Sequence, residues 1–179
     1  MNGVSDEALV ALAKAGDRRA FEALVSRHYA AIHRFSWRLC GEAAEAEDVA
    51  QETLIRVARG ISGFEGRSAF RSWAFGVAAN CAKDAIRARR RRARTLEAAA
   101  VAALVEPACA VEHDDGEAGL WDAVRDLPDG QREAVMLVHV EGLSHGEAAR
   151  ALGCAEATVS WRLFAARRRL KSHLSRASA

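Results

Sequence analysis

Apolar residues recur every three or four positions along most of the chain, the spacing that places side chains on one face of a helix. In the first half this spacing predicts helices over residues 5–15, 17–39, 43–59 and 68–92. Ser5, Asp17 and Ser68 are the expected N-caps of three of them, because a short side chain with an oxygen atom accepts a hydrogen bond from the first helical turn. Gly16 and Gly41 are the expected stops.

The third and fourth of these helices have long apolar stripes, which are expected to face the core. The stripe of the third helix consists of Ala46, Val49, Ala50, Thr53, Leu54, Val57 and Ala58. The stripe of the fourth consists of Ala69, Phe70, Trp73, Ala74, Val77, Cys81, Ala85 and Ile86.

The periodicity is lost over residues 95–115, which are rich in alanine, acidic and interrupted by Pro107. A flexible linker, partly helical over 96–104, is predicted there. Helices then resume, with predicted ends near Pro128 and at Gly142. Two more are predicted over 144–152 and 156–174.

The expected fold class is all-α, because no segment alternates as a strand does. Two small helical domains, 1–94 and 118–179, are joined by the acidic linker 95–117. Charge follows the same division: residues 1–94 carry 17 basic against 11 acidic side chains, and residues 95–119 carry six acidic and no basic ones. Residues 120–179 carry nine basic against seven acidic, a pattern typical of two polyanion-binding modules with an acidic connector.

The four cysteines form no CxxC pair, and no secretory signal or membrane span is apparent, so a cytoplasmic protein with reduced thiols is expected. His28, His33 and Cys40 lie at spacings unlike those of common metal-ligand pairs. No cofactor or metal is expected. The chain also lacks the glycine-rich, GxSxG and HExxH motifs of common enzyme classes, so no catalytic residue is assigned.

The last two predicted helices form a helix-turn-helix, with Ser144-His-Gly-Glu147 as a capping box and Gly153 at the turn. Val159, Leu163, Ala166 and Leu170 are expected to pack inward. The predicted duplex-contacting residues are Thr158, Ser160, Trp161, Arg162, Arg167 and Arg168. An ordinary helical hairpin with a solvated basic face is the alternative.

The fourth predicted helix offers a second basic surface. Asn80, Lys83, Arg87 and Arg91 share one of its faces, which ends in the run RARRRR at 87–92. Phe64, Arg67, Arg71 and Trp73 precede this face. Amide, cationic and aromatic groups together suit unpaired bases, which stack and are hydrogen-bonded at their edges. The alternatives are that Trp73 belongs to the core and that the arginine run is a solvated helix end.

Opposite the buried stripe of the third helix lie Asp48, Gln51, Glu52 and Ile55. An acidic face of this kind repels nucleic acid and favours a protein partner with basic residues, although an exposed isoleucine by itself is unremarkable.

Taken in order, these motifs resemble the extracytoplasmic-function group of bacterial RNA polymerase sigma factors. They are AEDVAQETLIRV at 46–57, FRSW at 70–73, DAIR at 84–87 with the arginine run, LPDGQRE at 127–133, GLSHGEAA at 142–149 and TVSWRL at 158–163. The resemblance covers residues 17–92 and 118–172. Trp161 stands where the family frequently has a small or basic residue.

The resemblance implies a subunit that binds core RNA polymerase, through its beta-prime clamp and beta subunits, and directs it to promoter DNA. It assigns the face of Asp48, Gln51, Glu52 and Ile55 to the clamp, residues 64–92 to the minus-ten element and the last helix to the minus-thirty-five element. It also implies that the linker threads toward the RNA exit path, and that an anti-sigma factor holds the protein inactive until a stress signal arrives.

Two other classes stay open on the residues alone. Residues 118–174 could equally be the output domain of a free-standing transcriptional regulator, although the first half shows no receiver or ligand pocket pattern. A nucleic-acid-modifying enzyme would need an acidic or metal-binding cluster, and Asp84 is the one acid on the Asn80–Arg87 face.

Overall fold

The computed structural model describes residues 3–99 and 115–177, and every regular element within those ranges is helical. In chain order the helices are α1 (Asp6–Lys14), α2 (Arg18–Cys40), α3 (Ala43–Gly60), α4 (Phe70–Ala99), α5 (Asp115–Arg125), α6 (Asp129–Val135), α7 (His145–Leu152) and α8 (Glu156–Ala177). A 3₁₀ turn (Ile61–Gly63) follows α3, and a π-helical turn (Met136–Val140) extends α6. The all-α expectation is confirmed.

Most predicted helix ends are confirmed by the hydrogen bonds of the capping residues. The side chain of Ser5 accepts from the amide of Ala8, and that of Asp17 accepts from two amides at the start of α2. Gly41 ends α2 in the left-handed region at φ +77°. The capping box at Ser144 is complete, since the Ser144 hydroxyl accepts from the Glu147 amide and the Glu147 carboxylate accepts from the Ser144 amide.

The α4 helix differs from its prediction at both ends. It begins at Phe70 rather than directly after Ser68, and its first hydrogen bond runs from the Trp73 amide to the Ala69 carbonyl. It continues to Ala99, past the predicted stop at 92 and into the first residues of the predicted linker. Residues 100–114 of that linker lie outside the described residues, and its last three residues, 115–117, are not linker but the first turn of α5.

A first helical unit is formed by α1–α4, with α4 packed against α2 and α3. Its centre holds Leu24, Phe35 and Phe75, and the two phenylalanine rings lie 5.1 Å apart. The predicted stripes are largely buried, but Ala58, in the last turn of α3, and Ala69, which precedes α4, are exposed. Conversely, Phe75, Ala78, Ala79 and Ala82 are buried without having been predicted.

The α7 helix packs on another side of α4, where Gly76 meets the backbone of Ala151. A second helical unit is formed by α5–α8, where α6, α7 and α8 pack together around Val159 and Ala166. Gly153 makes the predicted turn between α7 and α8 at φ +60°. One continuous cluster of buried residues runs through both helical units. None of the helices described is long and apolar enough to cross a bilayer.

The capping box supplies a stability test. We expect Ser144→Ala to lower the free energy of unfolding by about 1 kcal/mol, because an amide at the start of α7 loses its partner. Urea denaturation, monitored by circular dichroism, measures this change in the free energy of unfolding. Ser26→Ala is the control, since Ser26 is exposed in the middle of α2 and caps nothing. Equal stability of both variants would contradict the role given to the capping box.

Candidate nucleic-acid and protein interfaces

The basic face of α4 is only partly open to solvent. Asn80, Arg87 and Arg91 are exposed, as a nucleic-acid contact requires. Lys83 is half-buried, and its Nζ atom lies 3.7 Å from Oε1 of Glu133 in α6. One member of the predicted face is therefore engaged by the second helical unit.

At the start of α4, the predicted residues divide in the same way. Arg67 is exposed and pairs with Glu65 in the preceding loop. Arg71 reaches the second helical unit, where its guanidinium donates to the Glu141 carbonyl (2.8 Å) and to the Glu141 carboxylate (2.9 Å). Its guanidinium also lies 4.9 Å above the centre of the Phe75 ring.

Phe64 and Trp73 belong to one aromatic cluster with Phe70. The Phe64 and Trp73 rings lie 4.9 Å apart, and Phe70 lies 5.8 Å from Trp73 and 5.4 Å from the ring of His28. Phe64 and Trp73 are each half-buried and pack against the core, so part of each side chain remains accessible to solvent. The position of Trp73 is therefore compatible with both interpretations, that it belongs to the core and that it contacts unpaired bases.

His28 has a structural partner, because its Nε2 atom lies 2.7 Å from the Asp6 carboxylate at the start of α1. Among the residues described, no group of histidine, cysteine and acidic side chains is arranged to hold a metal ion.

The outward face of α3 is well exposed. Asp48 and Gln51 are exposed, and Ile55 keeps 44% of its surface accessible. Two of these side chains already have partners, because Gln51 donates to the Glu47 carboxylate at 2.9 Å and Glu52 accepts a 2.7 Å hydrogen bond from Arg56. Arg56 also contacts Asp84 of α4 at 3.1 Å, so Glu52 belongs to a charge network that joins α3 and α4.

The outer face of α8 is dominated by two aromatic side chains. Trp161 is 63% exposed and Phe164 is 61% exposed, which makes them the most exposed of the large apolar residues described. Phe164 was not predicted, although it lies three positions after Trp161 and off the inward stripe that Leu163 belongs to. Arg167 and Arg168 are exposed on the same helix, and the Arg168 guanidinium lies 6.0 Å from the Phe164 ring centre.

The remaining predicted residues of α8 lie closer to the protein. Ser160 is exposed, with its hydroxyl 3.0 Å from Nδ1 of His145. Thr158 and Arg162 are half-buried. The Arg162 guanidinium packs against Gly130, where a Cβ atom would lie only 3.0 Å from it. Arg162 therefore braces α8 against α6 in addition to any contact that it makes with DNA.

Two buried carboxyl groups lie where the helical units meet. Burial raises the pKa of Glu133, against the opposing effect of Lys83 and Arg162. Burial likewise raises the pKa of Glu141, against the opposing effect of Arg71. The contact between the helical units thus contains acidic groups that are held there by cations of the predicted DNA-binding face.

Comparison with known proteins finds a matching family model for each half of the chain. Residues 24–92 match the family model described as Sigma-70 region 2, and residues 118–170 match that described as Sigma-70, region 4. The chain is 35% identical over 173 residues to the RNA polymerase sigma-H factor of Pseudomonas aeruginosa, with 90% of each chain covered. It is 35% identical over 166 residues to the ECF RNA polymerase sigma factor SigM of Mycobacterium tuberculosis, with 93% of this chain and 83% of that one covered.

Among solved structures, the chain is similar to the sigma factor RpoE in complex with the anti-sigma factor NepR from Bartonella quintana. The TM-score is 0.70 at 28% identity, covering 87% of this chain and 96% of the other. The two family models and these relatives show that the chain belongs to the extracytoplasmic-function group of bacterial RNA polymerase sigma factors. Members of this family are transcription initiation factors that bind core RNA polymerase and promoter DNA, and they are not enzymes.

The cysteines test the packing around these surfaces. Burial raises the pKa of Cys40 to about 12, whereas Cys154 is half-buried. Because the thiolate is the reactive form, we expect iodoacetamide to modify Cys154 much faster than Cys40 in the native protein. Mass spectrometry of timed samples measures both rates, with the urea-unfolded chain as the control. Equal native rates would contradict the burial of Cys40.

Proposed function

We propose that this sigma factor uses three separate surfaces, one for core polymerase and two for promoter DNA, and that it acts in the cytoplasm. The observation that supports this division most strongly is the contrast between adjacent helices of the first helical unit. The outward face of α3 is acidic with an exposed Ile55, while the exposed residues Asn80, Arg87 and Arg91 of α4 are amide or cationic. One polyanion cannot favour both faces, so they suit different partners.

The α3 face is proposed to bind the polymerase clamp. Asp48, Gln51 and Glu52 supply acidic and polar groups for basic residues of the partner, and Ile55 supplies an apolar contact among them. Interfaces of this kind combine a small apolar centre with a charged rim, which sets the orientation of the partner.

The start and middle of α4 are proposed to bind the minus-ten element as an unpaired strand. Arg67, Arg71, Lys83, Arg87 and Arg91 provide cations for its phosphates, and Asn80 provides an amide for a base edge. The accessible parts of Phe64 and Trp73 provide aromatic surface for stacking with an unpaired base. Their half-buried cluster holds them in place, which lowers the entropic cost of binding a base.

The outer face of α8 is proposed to bind the minus-thirty-five element as a duplex. Trp161 is suited to apolar contact with a thymine methyl group in the major groove. Arg167 and Arg168 are suited to phosphates, as are Thr158 and Ser160 near the helix start. Arg162, which braces α8, is proposed to contact the DNA from the edge of this surface.

We also propose that an anti-sigma factor controls this chain as part of a stress or environmental response. The support is the similarity to a sigma factor solved with its anti-sigma factor, which extends over most of both chains.

The polymerase surface has a direct test by charge reversal. We expect Asp48→Lys to weaken the binding of core RNA polymerase about tenfold or more, because a cation there faces the basic groups of the partner. Biolayer interferometry with immobilised core enzyme measures the affinity. Glu22→Lys is the matched control, since Glu22 is an exposed acid on α2 outside the proposed surface. If Asp48→Lys bound as tightly as the control, the polymerase surface would have to be sought elsewhere.

The duplex surface has a test that separates base contacts from phosphate contacts. The test compares a selected upstream duplex with the same duplex in which deoxyuridine, which lacks the methyl group, replaces thymine. We expect Trp161→Ala in the reconstituted holoenzyme to reduce the preference for the thymine duplex over the deoxyuridine duplex. Arg167→Ala should instead weaken binding to both duplexes equally. It should also reduce the slope of log affinity against log salt concentration by about one. Fluorescence anisotropy over a range of salt concentrations measures both effects. An unchanged preference in Trp161→Ala would remove Trp161 from base recognition.

A further inference from the structure

A histidine and a serine join the two helices of the helix-turn-helix on the side that is proposed to bind the duplex. Nδ1 of His145, the first residue of α7, lies 3.0 Å from the hydroxyl oxygen of Ser160 in α8. His145 is half-buried and Ser160 is exposed. The histidine is therefore anchored in the protein, whereas the serine that it contacts is open to a partner.

Ser160 lies within the outward face of α8. Ala157, Ser160, Trp161 and Phe164 are all exposed, and their spacing of i, i+3, i+4 and i+7 puts them on one side of the helix. The first turns of a recognition helix are the part that reaches the edges of bases in the major groove. A serine near the helix start also suits a phosphate, but these neighbours favour a base edge for Ser160.

The contact with His145 decides what the Ser160 hydroxyl can offer to DNA. If Nδ1 accepts the hydroxyl proton, only the lone pairs of the hydroxyl point to the groove. If Nδ1 carries a proton and donates, the hydroxyl proton is free to point outward. A neutral imidazole allows both arrangements, because either ring nitrogen can carry its one proton, whereas a protonated imidazole carries a proton on each nitrogen and can only donate.

The two arrangements suit different bases. In the major groove, cytosine presents an amino group, which needs an acceptor, and guanine presents two acceptors, which need a donor. A hydroxyl that accepts or donates can therefore serve either base. A hydroxyl that must donate outward suits guanine and leaves the amino group of cytosine without a partner, which costs free energy in an interface.

The charged groups that face the pair, among the residues described, are Glu147 and Arg150 of α7 and Glu156 of α8. A Cβ atom on Gly146 would lie 3.4 Å from the Glu156 carboxylate and 3.7 Å from the Arg150 guanidinium. On the α4 side, the contact with the start of α7 is uncharged, because the Ser72 hydroxyl donates to the Glu147 carboxylate. Carboxylates and guanidinium groups normally keep their charge between about pH 6 and 8, and histidine is the side chain whose charge changes there.

We propose that His145 is a positioning residue for Ser160, and that the pair makes base preference in the upstream duplex depend on the protonation of His145. With a neutral His145, Ser160 tolerates guanine or cytosine at the position that it faces. With a protonated His145, Ser160 only donates, and cytosine is disfavoured. This inference rests on the proposed binding of the duplex by α8, and the experiment below separates the two.

The test uses holoenzyme reconstituted from core RNA polymerase and the full chain. A DNA library with a randomised upstream element is bound at about pH 6 and at about pH 8, and the bound fraction is sequenced. Because all duplexes compete in one tube, the general effect of pH on affinity cancels in the ratios between bases.

Three variants isolate the pair. His145→Gln keeps a side chain that can donate or accept a hydrogen bond but does not titrate, and Ser160→Ala removes the hydroxyl. Both new residues are good helix formers, so α7 and α8 are retained. His139→Gln is the matched control, because His139 is an exposed histidine of the same helical unit and belongs to neither helix of the pair.

In the wild type and in His139→Gln, one position of the upstream element should have a guanine-to-cytosine ratio about threefold higher at about pH 6 than at about pH 8. In His145→Gln and in Ser160→Ala, the ratio at that position should be the same at both pH values. A purely structural role of His145 would not produce a change of base preference with pH.

Each other outcome overturns a stated part of the inference. Wild-type base ratios that are equal at both pH values would remove the pair from base selection, as would a shift that persists in Ser160→Ala. A shift that persists in His145→Gln would assign the titration to another group, such as Glu141, whose pKa is raised by burial. If the holoenzyme formed but enriched no upstream element at either pH, the proposed duplex-binding role of α8 would fail, and the inference with it.

Discussion

The α4 helix packs against α2 and α3 on one side and against α7 on the other, so its surface is divided between three uses. Phe75 packs against Phe35 in the first helical unit, and Gly76, the next residue, meets the backbone of Ala151 in the second. Arg87 and Arg91 remain in solvent. The relative position of the two helical units depends on α4, because this helix belongs to the core of the first unit and also packs against the second.

Electrostatics explains why the second unit occupies that position. The first 94 residues carry an excess of six positive charges, and many of them are on α4. In the second unit, Asp129, Glu133 and Glu141 supply the acidic groups that pair with Arg90, Lys83 and Arg71 of α4. The contact therefore uses the property that suits α4 to DNA.

The periodicity of apolar residues and the capping residues were enough to predict the helices and the helix-turn-helix, because both depend on local interactions. The burial of Ser72 and Gly76 could not be predicted, since both residues contact α7, which is more than 60 residues away in the chain. The same non-local contact explains why Arg71 and Lys83 are engaged although they were expected in solvent. Phe164 could have been found from its position beside Trp161, whereas the bracing position of Arg162 depends on Gly130 and follows only from tertiary structure.

The central claim is that this chain gives RNA polymerase its promoter specificity through two DNA-binding units. The most direct measurement is transcription of fragmented genomic DNA from its own bacterium by core polymerase, with and without the chain, followed by mapping of the 5′ ends. The account predicts start sites that require the chain and share two upstream elements at a constant spacing. An absence of chain-dependent start sites, with core enzyme that is active with another sigma factor, would contradict it.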